Sequence, residues 1–105
     1  MADSPKEFFE TLPAKLTGKT SQFNTVYEFN ITGANAGVWT LDVSKEPPTV
    51  TSGSGGAAKC TIICGDADFM QIVAGKMNSN MAFMSGKLKI KGDMGLALKL
   101  GKILG

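Results

Sequence analysis

Two pairs of residues in this chain have the types and spacing for chemistry. Asp66 and Asp68 form the one tight carboxylate pair. General acid–base work needs such a pair beside a nucleophile or metal ligand, and neither accompanies them. Asp66 and Asp68 instead read as possible N-caps of a helix, where a carboxylate meets free backbone amides, and Asp68-Phe-Met-Gln71 has capping-box spacing. Cys60 and Cys64 lie four apart in a segment with strand character. At about 3.3 Å per residue their Cα atoms would stand about 13 Å apart, too far for the roughly 4.4–6.8 Å that a disulfide spans. They read as buried thiols, and their spacing is neither a redox nor a zinc motif.

The composition removes further classes. The chain contains no histidine, so the commonest general base and most zinc sites are absent. All 11 basic residues are lysine. Without arginine, bidentate reading of guanine edges is lost, so nucleic acid is not an expected partner. Ser52–Gly56 is glycine-rich but opens no helix and precedes no Lys-Ser/Thr, so it does not cradle a phosphate. No catalytic residue, metal or cofactor is called for.

What the chain does concentrate is methionine. Five of its 6 methionines lie between Met70 and Met94. Methionine is unbranched and polarizable, and a wall built of it adapts to apolar guests of different shape. The lysines Lys87, Lys89 and Lys91 alternate with Leu88 and Ile90. They read as a solvated sheet face, or as a weak patch for anionic membrane surfaces worth about 1 kcal/mol per lysine.

These residues need elements to position them. At 105 residues the chain has room for one core and is read as a single domain, 1–105. No apolar run nears the ~18 residues of a membrane span, and residues 1–10 lack the apolar stretch of a signal peptide, so an intracellular setting is expected. Ser4-Pro5-Lys6-Glu7 has helix-start spacing, with Phe8, Phe9, Leu12 and Leu16 on one face. Pro13 is expected to break or kink that helix. Strands follow at Val26–Thr32, with Tyr27, Phe29 and Ile31 inward, and at Val38–Ser44, with Trp39, Leu41 and Val43 inward and Thr40 and Asp42 outward. Gly33–Gly37 makes the turn between them. Pro47-Pro48 limits Thr49–Ser52 to an edge strand, and Ala58–Cys64 is the next strand. Phe69, Met70, Ile72, Val73 and Met77 are read onto one helix, stopped by Gly75. A short helix near Asn80–Met84, a strand at Lys87–Lys91 and a helix from Met94 to about Leu104 complete the order. The last helix is apolar around most of its circumference, beyond what one packed face requires. The pattern predicts an α+β domain with helices on one side of a mostly antiparallel sheet.

The stretches Asp68-Phe69-Met70, Gly75-Lys76-Met77-Asn78, Ala82-Phe83, Gly86–Gly92 and Met94–Leu100, with Val26–Phe29 and Trp39–Asp42 earlier, resemble the sterol carrier protein type 2, or non-specific lipid-transfer protein, family. The likeness runs from about Phe8 to Leu104. It implies a five-stranded sheet covered on one face by helices and enclosing an apolar tunnel. It also implies binding of fatty acids, fatty acyl-CoA, sterols or phospholipids and their transfer to membranes or enzymes. Through the resemblance, Phe29 and Met70 match tunnel-lining positions, Gln22 and Phe23 match positions near an acid head group, and the helix from Met94 closes the tunnel. The residues read as inward-facing add Ile31, Val73, Met77, Met81, Met84 and Leu98.

The arginines with which some family members clamp a carboxylate have no counterpart, so Gln22 or a lysine would have to serve. Family members often end in a peroxisomal tripeptide such as Ser-Lys-Leu. This chain ends Ile103-Leu104-Gly105, and the expectation is a cytoplasmic monomer with a lipid ligand, with a peroxisomal setting as the alternative that the resemblance implies. The alternative is an interaction module whose apolar groove docks a partner helix or a membrane.

Overall fold

The computed structural model describes residues 4–56 and 58–104, the side chains of 100–104 excepted. Helix α1 spans Pro5–Leu16, and the Ser4 hydroxyl accepts from the Glu7 amide at its start. Pro13 does not end this helix. It removes one helical amide, but Leu12 and Leu16 on either side are wholly buried, and the Pro13 carbonyl accepts from both the Thr17 amide and the Thr17 hydroxyl. The burial of that face outweighs the lost bond, so the expected break at Leu12 is corrected to a helix of 12 residues.

The strands are β1 (Val26–Thr32), β2 (Gly37–Asp42), β3 (Thr49–Ser52), β4 (Cys60–Gly65) and β5 (Leu88–Gly92). They form one five-stranded sheet in the order β3-β2-β1-β4-β5. Neighbours are antiparallel except β1 and β4, which run parallel with Phe29 beside Ile62. Because β2 and β3 add to one edge in turn, the chain must cross back to reach the other side of β1, and it arrives parallel to it. Strand alternation puts Tyr27, Phe29 and Ile31 of β1 on the inner face with Cys60, Ile62 and Cys64 of β4, all buried. Val43 lies just past β2, still buried, its amide bonded to the Thr25 carbonyl.

Thr40 points to the outer face as its register requires, yet it is buried. The turn after β3 folds over it, so its hydroxyl donates to the Gly53 carbonyl at 2.7 Å and accepts from the Gly55 amide at 3.1 Å. The expectation of a solvated Thr40 is therefore corrected by that turn.

The helices after β4 are α2 (Asp66–Val73), α3 (Ser79–Met84) and α4 (Met94–Leu104). Gly65, not an aspartate, is the N-cap of α2. The Asp66 carboxylate is drawn instead to the β1–β2 turn, accepting from the Asn35 amide at 2.9 Å and the Asn35 side chain at 3.2 Å. These bonds hold its pKa below the ordinary value. Gly75, at φ +77°, ends the turn after α2, so Met77 falls in the link to α3. Among the described residues no helix is long and apolar enough to cross a membrane.

Candidate lipid-binding site

The inner face of the sheet is covered in two unlike ways. Under α1 it is filled by stacked rings. Phe9 lies 4.7 Å from Trp39 and 5.4 Å from Phe69, both nearly parallel, and Phe29 packs at 5.0 Å from Phe9. Such contacts add stabilisation beyond buried area and leave no space. Towards β5 the covering is looser and mixed, and there a cavity of about 40 Å³ remains. Its floor is Phe29, Ile62, Leu88 and Ile90 from the sheet. Phe69 and Ile72 of α2 form one wall, Ser79, Asn80 and Phe83 of α3 another, and Ala97 and Leu98 of α4 the third. No lining residue is charged. Ser79 and Asn80 supply the polar side chains, both at the helix α3 end.

The volume is small beside the roughly 300–1,000 Å³ of typical ligand pockets. A guest longer than a few atoms needs α3 and α4 to move outward. Three hydrogen bonds tie the described part of α4 and the residue before it to the rest of the domain. The buried Tyr27 hydroxyl donates to the Leu96 carbonyl at 2.8 Å, the Lys99 ammonium donates to the Gln22 carbonyl at 2.8 Å, and the Asp93 amide donates to the Lys59 carbonyl at 3.1 Å. Burial pushes the Tyr27 phenol above its usual range, reinforced by Cys60 and Asp93, so it remains a donor at neutral pH. The same cause pushes the Cys60 and Cys64 thiols up to about 11. Both are poor nucleophiles at neutral pH, since reaction needs the thiolate.

The candidate residues from the sequence fall into distinct places. Phe29 and Leu98 line the cavity. Ile31 is in the core on the same strand face. Met70 and Val73 line a separate, wider groove of about 810 Å³ between α1 and α2, whose rim carries Glu7, Glu10, Lys15 and Lys76. Met77 is half-buried against the core. Phe23 is buried against Tyr27, and exposed Gln22 meets α4 through its carbonyl. Met81 and Met84 are 69% and 84% exposed, and Met94 is exposed at the start of α4. The expectation that Met81 and Met84 face inward is corrected, and Met94, a candidate through the closing helix, does not line the cavity. In so short a helix Ala82 takes the buried face, with Asn80 and Phe83 at the edge of the cavity, and this turns Met81 and Met84 outward. Ala97 and Phe83 were not singled out by sequence, although the alternation of Leu88 and Ile90 marks the floor they cover.

The pattern of the SCP-2 sterol transfer family matches residues 6–105. This chain belongs to that family. Over 81 residues it is 49% identical to hydroxysteroid dehydrogenase-like protein 2 of Xenopus laevis, covering 76% of this chain and 19% of that protein. It is 36% identical over 104 residues to peroxisomal multifunctional enzyme A of Dictyostelium discoideum, covering 93% and 24%. The chain therefore spans about a fifth to a quarter of the length of these relatives. Among solved structures, the sterol carrier protein domain 2 of Helicoverpa armigera superposes with a TM-score of 0.80 at 28% identity, over 93% of this chain and 83% of that one. The SCP-2 fold of this chain is thus the five-stranded mixed sheet with helices described above, and family membership makes it a lipid-binding domain.

Proposed function

We propose that this SCP-2 domain is a non-catalytic carrier. It holds the apolar part of a fatty acid, fatty acyl-CoA, sterol or phospholipid between the inner sheet face and helices α2 to α4, and presents it to membranes or enzymes. The observation that carries this reading is the uncharged cavity between β5 and α4, hollow where the rest of the inner face is filled by stacked rings. Burying a methylene contributes about 0.8 kcal/mol, so a long chain binds without a charged clamp. Phe29, Phe83, Ala97 and Leu98 are the residues in contact with it. Gln22 and Phe23 act through the tie of α4 rather than by touching the chain. Met70 and Val73 of α2, with Met77 just after it, pack against the core and hold α2 in place. A peroxisomal setting is part of the proposal, on the strength of the peroxisomal relative.

Native mass spectrometry of protein purified without delipidation is expected to show a lipid adduct, and a fluorescent fatty acid to bind saturably. Ala97→Phe fills the cavity from α4. It should weaken probe binding about tenfold or more while costing no more than about 1–3 kcal/mol in stability. A wild type with neither adduct nor saturable binding overturns the carrier reading. The second reading, an interaction module, draws on the groove between α1 and α2, whose mixed lining suits a partner segment better than an acyl chain. Saturable probe binding that Ala97→Phe leaves intact, and that a Val73→Asp change abolishes, would favour that groove.

A further inference from the structure

The lining of the cavity is graded from dry to wet. Phe29, Ile62, Phe69 and Ile72 are buried, whereas Asn80, Phe83 and Leu98 are exposed. The exposed residues mark the mouth and the buried ones the deep end. Ser79, half-buried, and Asn80 are the polar side chains of the lining, adjacent on α3 and so together at the mouth. Asn78 does the capping of α3, its side chain accepting from the Asn80 and Met81 amides at 2.8 and 3.3 Å. The Ser79 hydroxyl and the Asn80 carboxamide are thereby spared that work. Charge, among the described residues, is held elsewhere. The Lys99 ammonium is committed to the Gln22 carbonyl at 2.8 Å, and neither Lys99 nor Gln22 lines the cavity. Lys89 and Lys91 pair in register with Ile63 and Thr61, on the sheet face opposite Leu88 and Ile90. Lys87 lies past the far end of α3 from Ser79, and Lys76 is on the rim of the α1–α2 groove. The Asp93 carboxylate accepts from the Leu96 amide at 3.2 Å.

We infer that Ser79 and Asn80 form a head-group subsite that selects a neutral hydroxyl, as on a long-chain alcohol, over an ionised carboxylate. The lipid enters tail first, with its tail reaching Phe29 and Phe69 and its head staying at the mouth. A hydroxyl head donates and accepts, and so do the Ser79 hydroxyl and the Asn80 carboxamide, so the three can satisfy one another. An ionised carboxylate would bring a full negative charge between Phe83 and Leu98. Two dipoles and no cation meet it there, which leaves much of its lost hydration uncompensated. In pockets of this kind apolar walls supply affinity, while a few placed polar groups fix orientation and specificity. The inference deepens the carrier reading and rests on it for the binding of the tail.

The test is displacement of a bound fluorescent fatty alcohol by a fatty alcohol and a fatty acid of equal chain length. It is run at mildly alkaline pH, where the acid is ionised, on the wild type, Ser79→Ala/Asn80→Ala and Asn80→Lys. The wild type should hold the alcohol about tenfold more tightly than the acid, because the charge goes unpaired at the mouth. The double alanine variant should weaken the alcohol about fivefold, through the loss of neutral hydrogen bonds, and leave the acid nearly unchanged. Asn80→Lys places a cation at an exposed helical position and should reverse the order, the acid gaining about tenfold. Circular dichroism checks that each variant is folded. Equal affinity of the wild type for alcohol and acid overturns the inference and leaves the carrier standing. So does a double alanine variant with undiminished alcohol binding, or a folded Asn80→Lys that gains nothing for the acid. Saturable binding of neither lipid by the wild type sinks the carrier reading itself, and the subsite with it.

Discussion

Replacing Tyr27 by phenylalanine removes one oxygen atom from a wholly buried residue near the start of β1 and, with it, the 2.8 Å bond to the Leu96 carbonyl, 69 residues away in sequence. The hydroxyl crosses from the sheet to α4, so it bears on how tightly the last helix is held. A neutral hydrogen bond of this kind contributes about 0.5–1.5 kcal/mol net. The Leu96 carbonyl keeps its helical amide as a partner, so the loss should fall near the middle, about 1 kcal/mol. For a domain of about 100 residues that corresponds to a fall in Tm of about 4–8 °C. If the bond chiefly restrains α4, the same energy raises the population of a detached helix about fivefold. Hydrogen exchange of the α4 amides should quicken by that factor, with β1 and β4 amides changing only as far as global stability does. The rate of fatty-acid probe entry should rise with it. Unchanged α4 exchange in Tyr27→Phe, with probe entry at the wild-type rate, would refute the claim that this hydroxyl governs the helix.

Gly92 turns the chain from β5 into α4 at φ +95°, and a Cβ there would run into the Lys59 carbonyl oxygen, the acceptor of the Asp93 amide. Gly92→Ala should therefore cost more than the backbone term of about 1–2 kcal/mol. Gly18→Ala, at φ +84° with open space around it, should cost that term alone, and thermal melts compare the two. The cysteines predict an alkaline limb. Their thiols are raised from 9.0 to about 11 in the folded chain, so the unfolded state loses protons first. Their contribution is full below about pH 9 and is lost as pH rises through about 11. Melts across that range should show Tm falling, and Cys60→Ala/Cys64→Ala should lower the baseline yet make the slope shallower. A slope unchanged by both substitutions would contradict the assignment. Tyr27 acts in the same direction, so some slope should remain.

Local chemistry made much of the fold legible in one dimension. The Ser4 cap, the alternation in Val26–Thr32 and in Lys87–Lys91, and the edge status of Thr49–Ser52 after two prolines all concern contacts within a few residues. The family resemblance rests on stretches of the same length, so it too could be read directly. The interior site was legible only in part. Phe29 and Leu98, read as inward-facing, line the cavity, whereas Met81 and Met84, read the same way, face outward. A helix of six residues makes fewer than two turns, and its periodicity cannot say which side meets the sheet.

Tertiary structure decided what local pattern cannot hold. The parallel pairing of β1 with β4 depends on where the β2–β3 edge leaves room. The cavity lies where the ring cluster ends: Phe9 and Trp39 fill the inner face under α1, and the far sides of Phe29 and Phe69 form part of the cavity lining towards β5. Helix α4 is apolar around much of its surface, and sequence alone could assign that surplus only to burial. In three dimensions part of it closes the cavity and part faces solvent with α3. The reason is geometric: the sheet offers one face, α1 and α2 occupy much of it, and the side chains left over form the mouth.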